Sequence, residues 1–133
     1  QLANFAIPDS REPQHLWQGD LNMLNATLRG GTTNTFVDVL IAGDRQIVGL
    51  VMVTMCKELL SEQPSAHLEA LVVDPEMRGQ GLGHKLMQHA EDRVRQRGAQ
   101  SLTLHVFSTN LAARKLYDSR GFDSELIRAV KWL

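Results

Sequence analysis

A single cysteine, Cys56, leaves nothing to form an internal disulfide, so the fold must hold without a covalent staple, as in a reducing compartment. Long apolar runs are missing too. The longest, Ile47 to Met55, falls far short of the roughly 20 residues that a membrane-spanning helix needs. Net charge is nearly absent: 14 Lys and Arg against 15 Asp and Glu give −1. That balance removes the basic surface by which nucleic acid or an anionic membrane would be held as an obligate partner. Aromatics are scarce at 5%, with one tyrosine, Tyr117. The sequence opens on Gln1 and lacks the basic-then-apolar pattern of an export leader, so the expected compartment is the cytoplasm. No repeat, low-complexity tract or long linker divides the 133 residues. One domain over 1–133, long enough to bury a real core, is expected.

What is present is a sequence of elements punctuated by glycine. Leu16, Trp17, Leu21, Leu24 and Leu28 recur at helical spacing, which predicts a helix over 12–28 stopped at Gly30-Gly31. Phe36 to Ile41 and Gln46 to Met55 read as two strands of a hairpin turning through Ala42 to Arg45. Gly49, inside the second strand, predicts a bulge or a close backbone approach. Residues 57–66 read as a polar loop, His67 to Val73 as a third strand closed by Asp74-Pro75. Leu82, Leu86, Ala90 and Val94 repeat every fourth residue with Met87 beside them, predicting a helix to Arg97 stopped by Gly98. Leu102, Leu104 and Val106 alternate with Thr103 and His105 in a fourth strand over 101–107. A second helix over Asn110 to Arg120 ends at Gly121, and Leu126 to Leu133 has the pattern of a last strand. The order predicts an α/β fold, a mixed and mostly antiparallel sheet flanked by helices.

Chemistry concentrates between Leu71 and Gly83. A strand runs into a loop with Gly79, Gly81 and Gly83 at alternate positions, and a helix begins at once. Glycines let the backbone turn tightly and aim several N–H groups at one point. The first helical turn adds its own unpaired N–H groups and the positive end of its dipole. Such a loop is built to cradle a pyrophosphate. It is not the dinucleotide fingerprint, because His84 stands where that pattern needs glycine, and no window supplies the nucleotide P-loop.

Two blocks carry a resemblance to a known family. Leu71 to Gly83 matches the loop pattern (Q/R)-x-x-G-x-(G/A) at Arg78, Gly81 and Gly83, and Asn110 to Phe122 matches NxxAxxLYxxxGF at every fixed position. Together, in this order and separation, they identify the chain as resembling the GNAT superfamily of N-acetyltransferases. Residues 36–133 carry the likeness well; residues 1–35 carry it weakly, and the family's usual first strand is not evident there.

The resemblance implies acetyl-CoA as co-substrate, no metal, and a primary amine of a small molecule or peptide as acceptor. It implies that Leu71, Val72 and Val73 pair through their backbone with the pantetheine arm. Arg78, Gly79, Gln80, Gly81, Leu82 and Gly83 would then hold the pyrophosphate, with Asn110, Ala113 and Tyr117 also at the cofactor. Attack of an amine on a thioester needs a base, oxyanion donors and an acid for sulfur. Tyr117 is the expected acid, since a phenol near pKa 10 can protonate a thiolate whose thiol titrates near roughly 8.5. As a plain residue it would be core beside Leu116. Glu69 is the expected base, directly or through water; on a regular strand it shares a face with Leu71 and Val73. As a plain residue it would be a solvated or ion-paired carboxylate. His67 and His105 are rivals for the base, with His105 read as the more structural of the two. Asn110 also suits a helix N-cap. His84 and His89 lie five apart rather than four, so no metal pair is expected on that helix. Asp38, Glu58, Glu62 and Glu69 would either make the mouth attractive to a cation or be plain surface charge. Residues 12–35, 57–66 and 122–128, where the likeness is weakest, would select the acceptor. The rival readings are a catalytically silent CoA-binding sensor and a transferase of another acyl group. A homodimer stays open.

Overall fold

The computed structural model describes residues 34–43 and 46–133. The expected helix over 12–28 and its glycine stop lie outside the described residues. Along the chain run β1 (Thr35–Ile41), β2 (Ile47–Lys57), β3 (Pro64–Val73), a 3₁₀ turn (Pro75–Met77), α1 (Leu82–Gln96), β4 (Leu102–Leu104) and α2 (Leu111–Ser119). The described strands form one sheet in the order β1-β2-β3-β4. The first three pair antiparallel and β4 joins β3 in parallel, across the helical crossover that parallel pairing requires.

The core lies between one face of the sheet and α1. Phe36, Val51, Val53, Ala66 and Leu68 meet Leu86, Met87, Ala90 and Val94, the stripe that the fourfold spacing lays along one side of the helix. Gly49 lets the layers close: a Cβ there would sit 2.8 Å from Leu86 Cδ1 and 3.0 Å from the Val72 carbonyl oxygen. Beside it Leu40 pairs with Gly49 and Ile41 with Ile47, so Val48 is bulged out of the ladder. At the far edge Arg93 donates to both oxygens of Asp38 at 3.0 and 2.9 Å, His89 Nε2 lies 2.7 Å from the same carboxylate, and the Arg93 and Arg97 guanidinium groups stack over Phe36. These contacts clamp β1 to α1.

Three expectations need correction. β3 starts at Pro64, not His67, because Pro64 and Ser65 find partners 36 residues away: Gln100 N–H donates to Pro64 O, and the Ser65 and Ser101 hydroxyls lie 2.7 Å apart. β4 is only Leu102–Leu104 rather than 101–107. The last strand over 126–133 does not form, and Ile127 is 97% exposed. Alternating apolar residues make a strand only where a neighbour takes up their N–H and C=O groups, and the three-residue β4 offers that segment no matching ladder.

Candidate functional site

The site begins where β3 and β4 part. The parallel ladder runs from Ala66–Leu102 through His67–Thr103 to Leu68–Leu104 and stops. Ser65 and Ser101 pin its lower end. Above it β3 continues to Val73 while the chain after Leu104 no longer pairs with it; we call this end of the ladder, with the β3 edge beyond it, the wedge. The vertex coincides with a second bulge: Met52 pairs with Ala70 and Val53 with Leu68, leaving Glu69 without an opposite residue. A bulge reverses the in–out alternation of everything beyond it. Ala66 and Leu68 face the core below the bulge, whereas Leu71 and Val73 pack against it above. Glu69 therefore does not share a face with Leu71 and Val73, as a regular strand would have required. It falls on the side of His67 and lies near enough to His67 and Cys56 to act electrostatically on both.

The glycine loop stands at the end of β3. Asp74 N–H donates to Val48 O at 2.8 Å, and the Asp74 carboxylate accepts from Glu76 N–H at 3.0 Å, which sets the 3₁₀ turn. Gly79 and Gly81 have φ of +81° and +75°, where side-chain-bearing residues are strained, yet a Cβ at either would meet nothing within 4 Å. Backbone twist, not space, demands glycine here. Gly81 is the N-cap of α1 without a side-chain cap, and no acidic residue sits in the first turn. Those N–H groups carry no side-chain cap, and a helix start of this kind suits an anion such as a pyrophosphate; Arg78, exposed, stands just before it. Gly83 differs from its two neighbours. It lies within α1, and a Cβ on it would be 3.2 Å from Leu116 Cδ2. Its closest demand is the packing of α1 on α2. Gln80 and Leu82 complete the loop between these glycines, Gln80 exposed and Leu82 half-buried at the head of α1.

α2 brings Tyr117 and Asn110 to the assembly. Tyr117 is half-buried against the core and meets Phe122 edge-on, ring centres 5.7 Å apart. Burial pushes its phenol pKa up, so it holds its proton at neutral pH. Asn110 caps α2, its side-chain oxygen accepting from Ala113 N–H at 3.2 Å. Arg120 fixes the other end of α2 on α1 by donating to Glu91 and Gln88.

On the sheet face away from α1, His67 Nδ1 is 2.8 Å from Thr103 Oγ1, and the His67 and His105 rings lie 4.8 Å apart. His67, not His105, makes the structural hydrogen bond. Period-two alternation places both histidines on the polar sides of their strands, but only the parallel register makes them neighbours. Of the four acids expected at the mouth, Asp38 is engaged with α1. Glu58 instead closes the β2–β3 turn by accepting from Leu60 and Ser61 N–H. Glu62 also lies in that turn, at φ +60°. Among the described residues no three metal-ligating side chains converge.

Comparison with known proteins identifies the family and the fold. A family model described as the acetyltransferase (GNAT) family matches residues 3–122. The Escherichia coli K12 ribosomal protein bS18-alanine N-acetyltransferase is 43% identical over 63 residues, covering 47% of this chain and 43% of its own length. The streptothricin acetyltransferase of Streptomyces lavendulae is 44% identical over 55 residues, covering 41% of this chain and 29% of its own. The matched stretch thus spans less than half the length of these relatives. A solved acetyl transferase fold from Pyrococcus furiosus superposes with a TM-score of 0.77 at 21% identity, covering 98% of this chain and 83% of that one.

Proposed function

The chain belongs to the acetyltransferase (GNAT) family, and from that premise we propose that it moves an acetyl group from acetyl-CoA to a primary amine of a small molecule or peptide by direct transfer. The wedge between β3 and β4, with the uncapped glycine loop at the end of β3, carries the reading. In this proposal the pantetheine arm adds to the backbone of Leu71, Val72 and Val73, whose amides polarise the thioester carbonyl. Arg78 and the N–H groups from Gly79 to Gly83 hold the pyrophosphate, and Asn110 and Ala113 border the arm. Tyr117 protonates the leaving thiolate. Glu69, at the vertex, presents a carboxylate that draws a protonated amine.

One relative is named for acetylating an alanine of a ribosomal protein, which supports including peptides among the acceptors tried. The test is thiol release from acetyl-CoA with polyamines, aminoglycosides, amino acids and peptides in turn. Release that depends on one amine class, with a matching mass gain of one acetyl group, is the expected result. Tight CoA binding with no release on any acceptor would favour a cofactor sensor instead. Faster release from a longer acyl-CoA would change the donor.

A further inference from the structure

The polar face at the wedge vertex holds more than the reading above uses. His67 occupies the next-to-last rung of the β3–β4 ladder, opposite Thr103, and His105 is the first residue after that ladder ends. Thr103 Oγ1 lies 2.8 Å from His67 Nδ1 and 3.4 Å from Ala66 O, to which its hydroxyl can donate. With the hydroxyl hydrogen on Ala66 O, the Thr103 oxygen accepts from Nδ1–H, and Nε2 keeps a lone pair. His105, an exposed residue, stands with its ring 4.8 Å from that of His67.

We propose that His67 Nε2 is the general base that takes the proton of the acceptor amine, with Thr103 fixing its tautomer and His105 passing the proton to water. This rests on the acetyl-transfer reading and assigns its proton path. The charge setting is consistent with it. Burial depresses the His67 pKa, Glu69 on its own strand pulls the other way, and His105, just past the end of β4, lowers it again. From β2 the opposite residue is Thr54, and two rungs on, opposite Ser65, the Cys56 thiol is pushed up by burial and then by Glu69, so it stays uncharged. His67 is thus neutral at pH 7, the form a base must have, and an imidazole matches neutral pH better than a carboxylate. Glu69 remains the counter-charge that draws the ammonium group and steadies the imidazolium once formed.

The protons balance as follows. The ammonium group gives one proton to Nε2, and the freed nitrogen lone pair forms the C–N bond to the thioester carbonyl carbon. The C–S bond breaks as the tetrahedral intermediate collapses. The thiolate takes the Tyr117 hydroxyl proton, and the phenolate is restored by the second proton leaving nitrogen. One proton leaves the molecule, from His67 through His105 to solvent.

The experiment records pH–rate profiles for the wild type, His67→Gln, Glu69→Gln, His105→Asn and Thr103→Val on an accepted amine, with acetyl-CoA affinity by calorimetry. Expected for His67→Gln is a fall in kcat of about 10²–10⁴-fold, unchanged acetyl-CoA affinity, and loss of the acidic limb that Glu69→Gln retains. His105→Asn and Thr103→Val should keep the limb and slow kcat more than they raise KM. Added imidazole should restore part of the activity of His67→Ala, a response that a packing role would not give. If His67→Gln does not fold, that rescue and the Thr103→Val profile decide the matter. A limb kept in His67→Gln and lost in Glu69→Gln overturns the proposal while acetyl transfer stands. A wild type that binds CoA but acetylates no amine overturns both.

Discussion

Tyr117 is the chain's only tyrosine, so its ionisation can be read by absorbance without interference. Burial raises its pKa above the ordinary value of 10.0. The folded protein therefore binds the phenolic proton more tightly than the unfolded chain does. The stability tied to it is complete below pH 10 and is lost as pH rises through the folded value. A tyrosinate titration of the native protein should have its midpoint above that of the protein in denaturant; coincident midpoints would place the ring in water. The same burial makes the residue a donor at neutral pH. Tyr117→Phe keeps the edge contact with Phe122 and removes one hydroxyl. Its kcat should fall by about 10²–10⁴-fold at little change in acetyl-CoA affinity, because in the proposed role the donor acts as charge develops on sulfur. A matching loss of melting temperature would mark the hydroxyl as structural.

At the scale of elements, the three glycines of the loop divide their labour. Gly81→Ala puts a side chain at φ +75°, a strain of about 1–2 kcal/mol, in the cap from which α1 would present its amides. Acetyl-CoA affinity should fall at least about tenfold, equal to 1.4 kcal/mol, with the fold retained. Gly83→Val should instead lower the melting temperature by overpacking Leu116, about 1–3 kcal/mol, and Leu116→Ala should recover part of it. Equal effects of the two variants on binding and on stability would contradict the division. Nothing in the sequence separates these glycines, since the distinction depends on what α2 brings against α1. The helix α1 itself was legible, because an unbroken apolar stripe and a glycine stop are local signals. The bulge at Glu69 was not. One extra residue in a strand leaves no mark on composition, yet it turns Leu71 and Val73 to the core face and leaves the carboxylate on the side of His67 alone. Alternation over 126–133 misled for the opposite reason: the pattern is local, whereas the partner that would make it a strand is not.

Across the whole molecule, the clamp of β1 on α1 and the wedge between β3 and β4 lie at opposite edges of the sheet, so stability and binding can be probed apart. Asp38→Asn weakens the bonds from Arg93 and His89 and should cost about 1–2 kcal/mol, while leaving acetyl-CoA affinity intact where the protein stays folded. The family motifs were legible in the sequence; this clamp was not, because Asp38 and Arg93 are 55 residues apart and meet only through the fold. Binding at the wedge should act in the converse way. A ligand that binds only the folded state stabilises it by about 2.7 kcal/mol at one hundred times its Kd. Acetyl-CoA should therefore raise the melting temperature, and ATP or NAD should raise it much less, since neither has an arm to lie along β3. Hydrogen exchange locates the effect. Amides of Leu71 to Val73 and of Gly79 to Gly83 should slow when acetyl-CoA is added, beyond any uniform change. The β1–β2 ladder, from Thr35–Thr54 to Leu40–Gly49, should slow only by the global gain in stability. Protection spread evenly over the sheet, or equal stabilisation by ATP, would mean that the anion site binds phosphate without the wedge and that β3 takes no part in holding the cofactor.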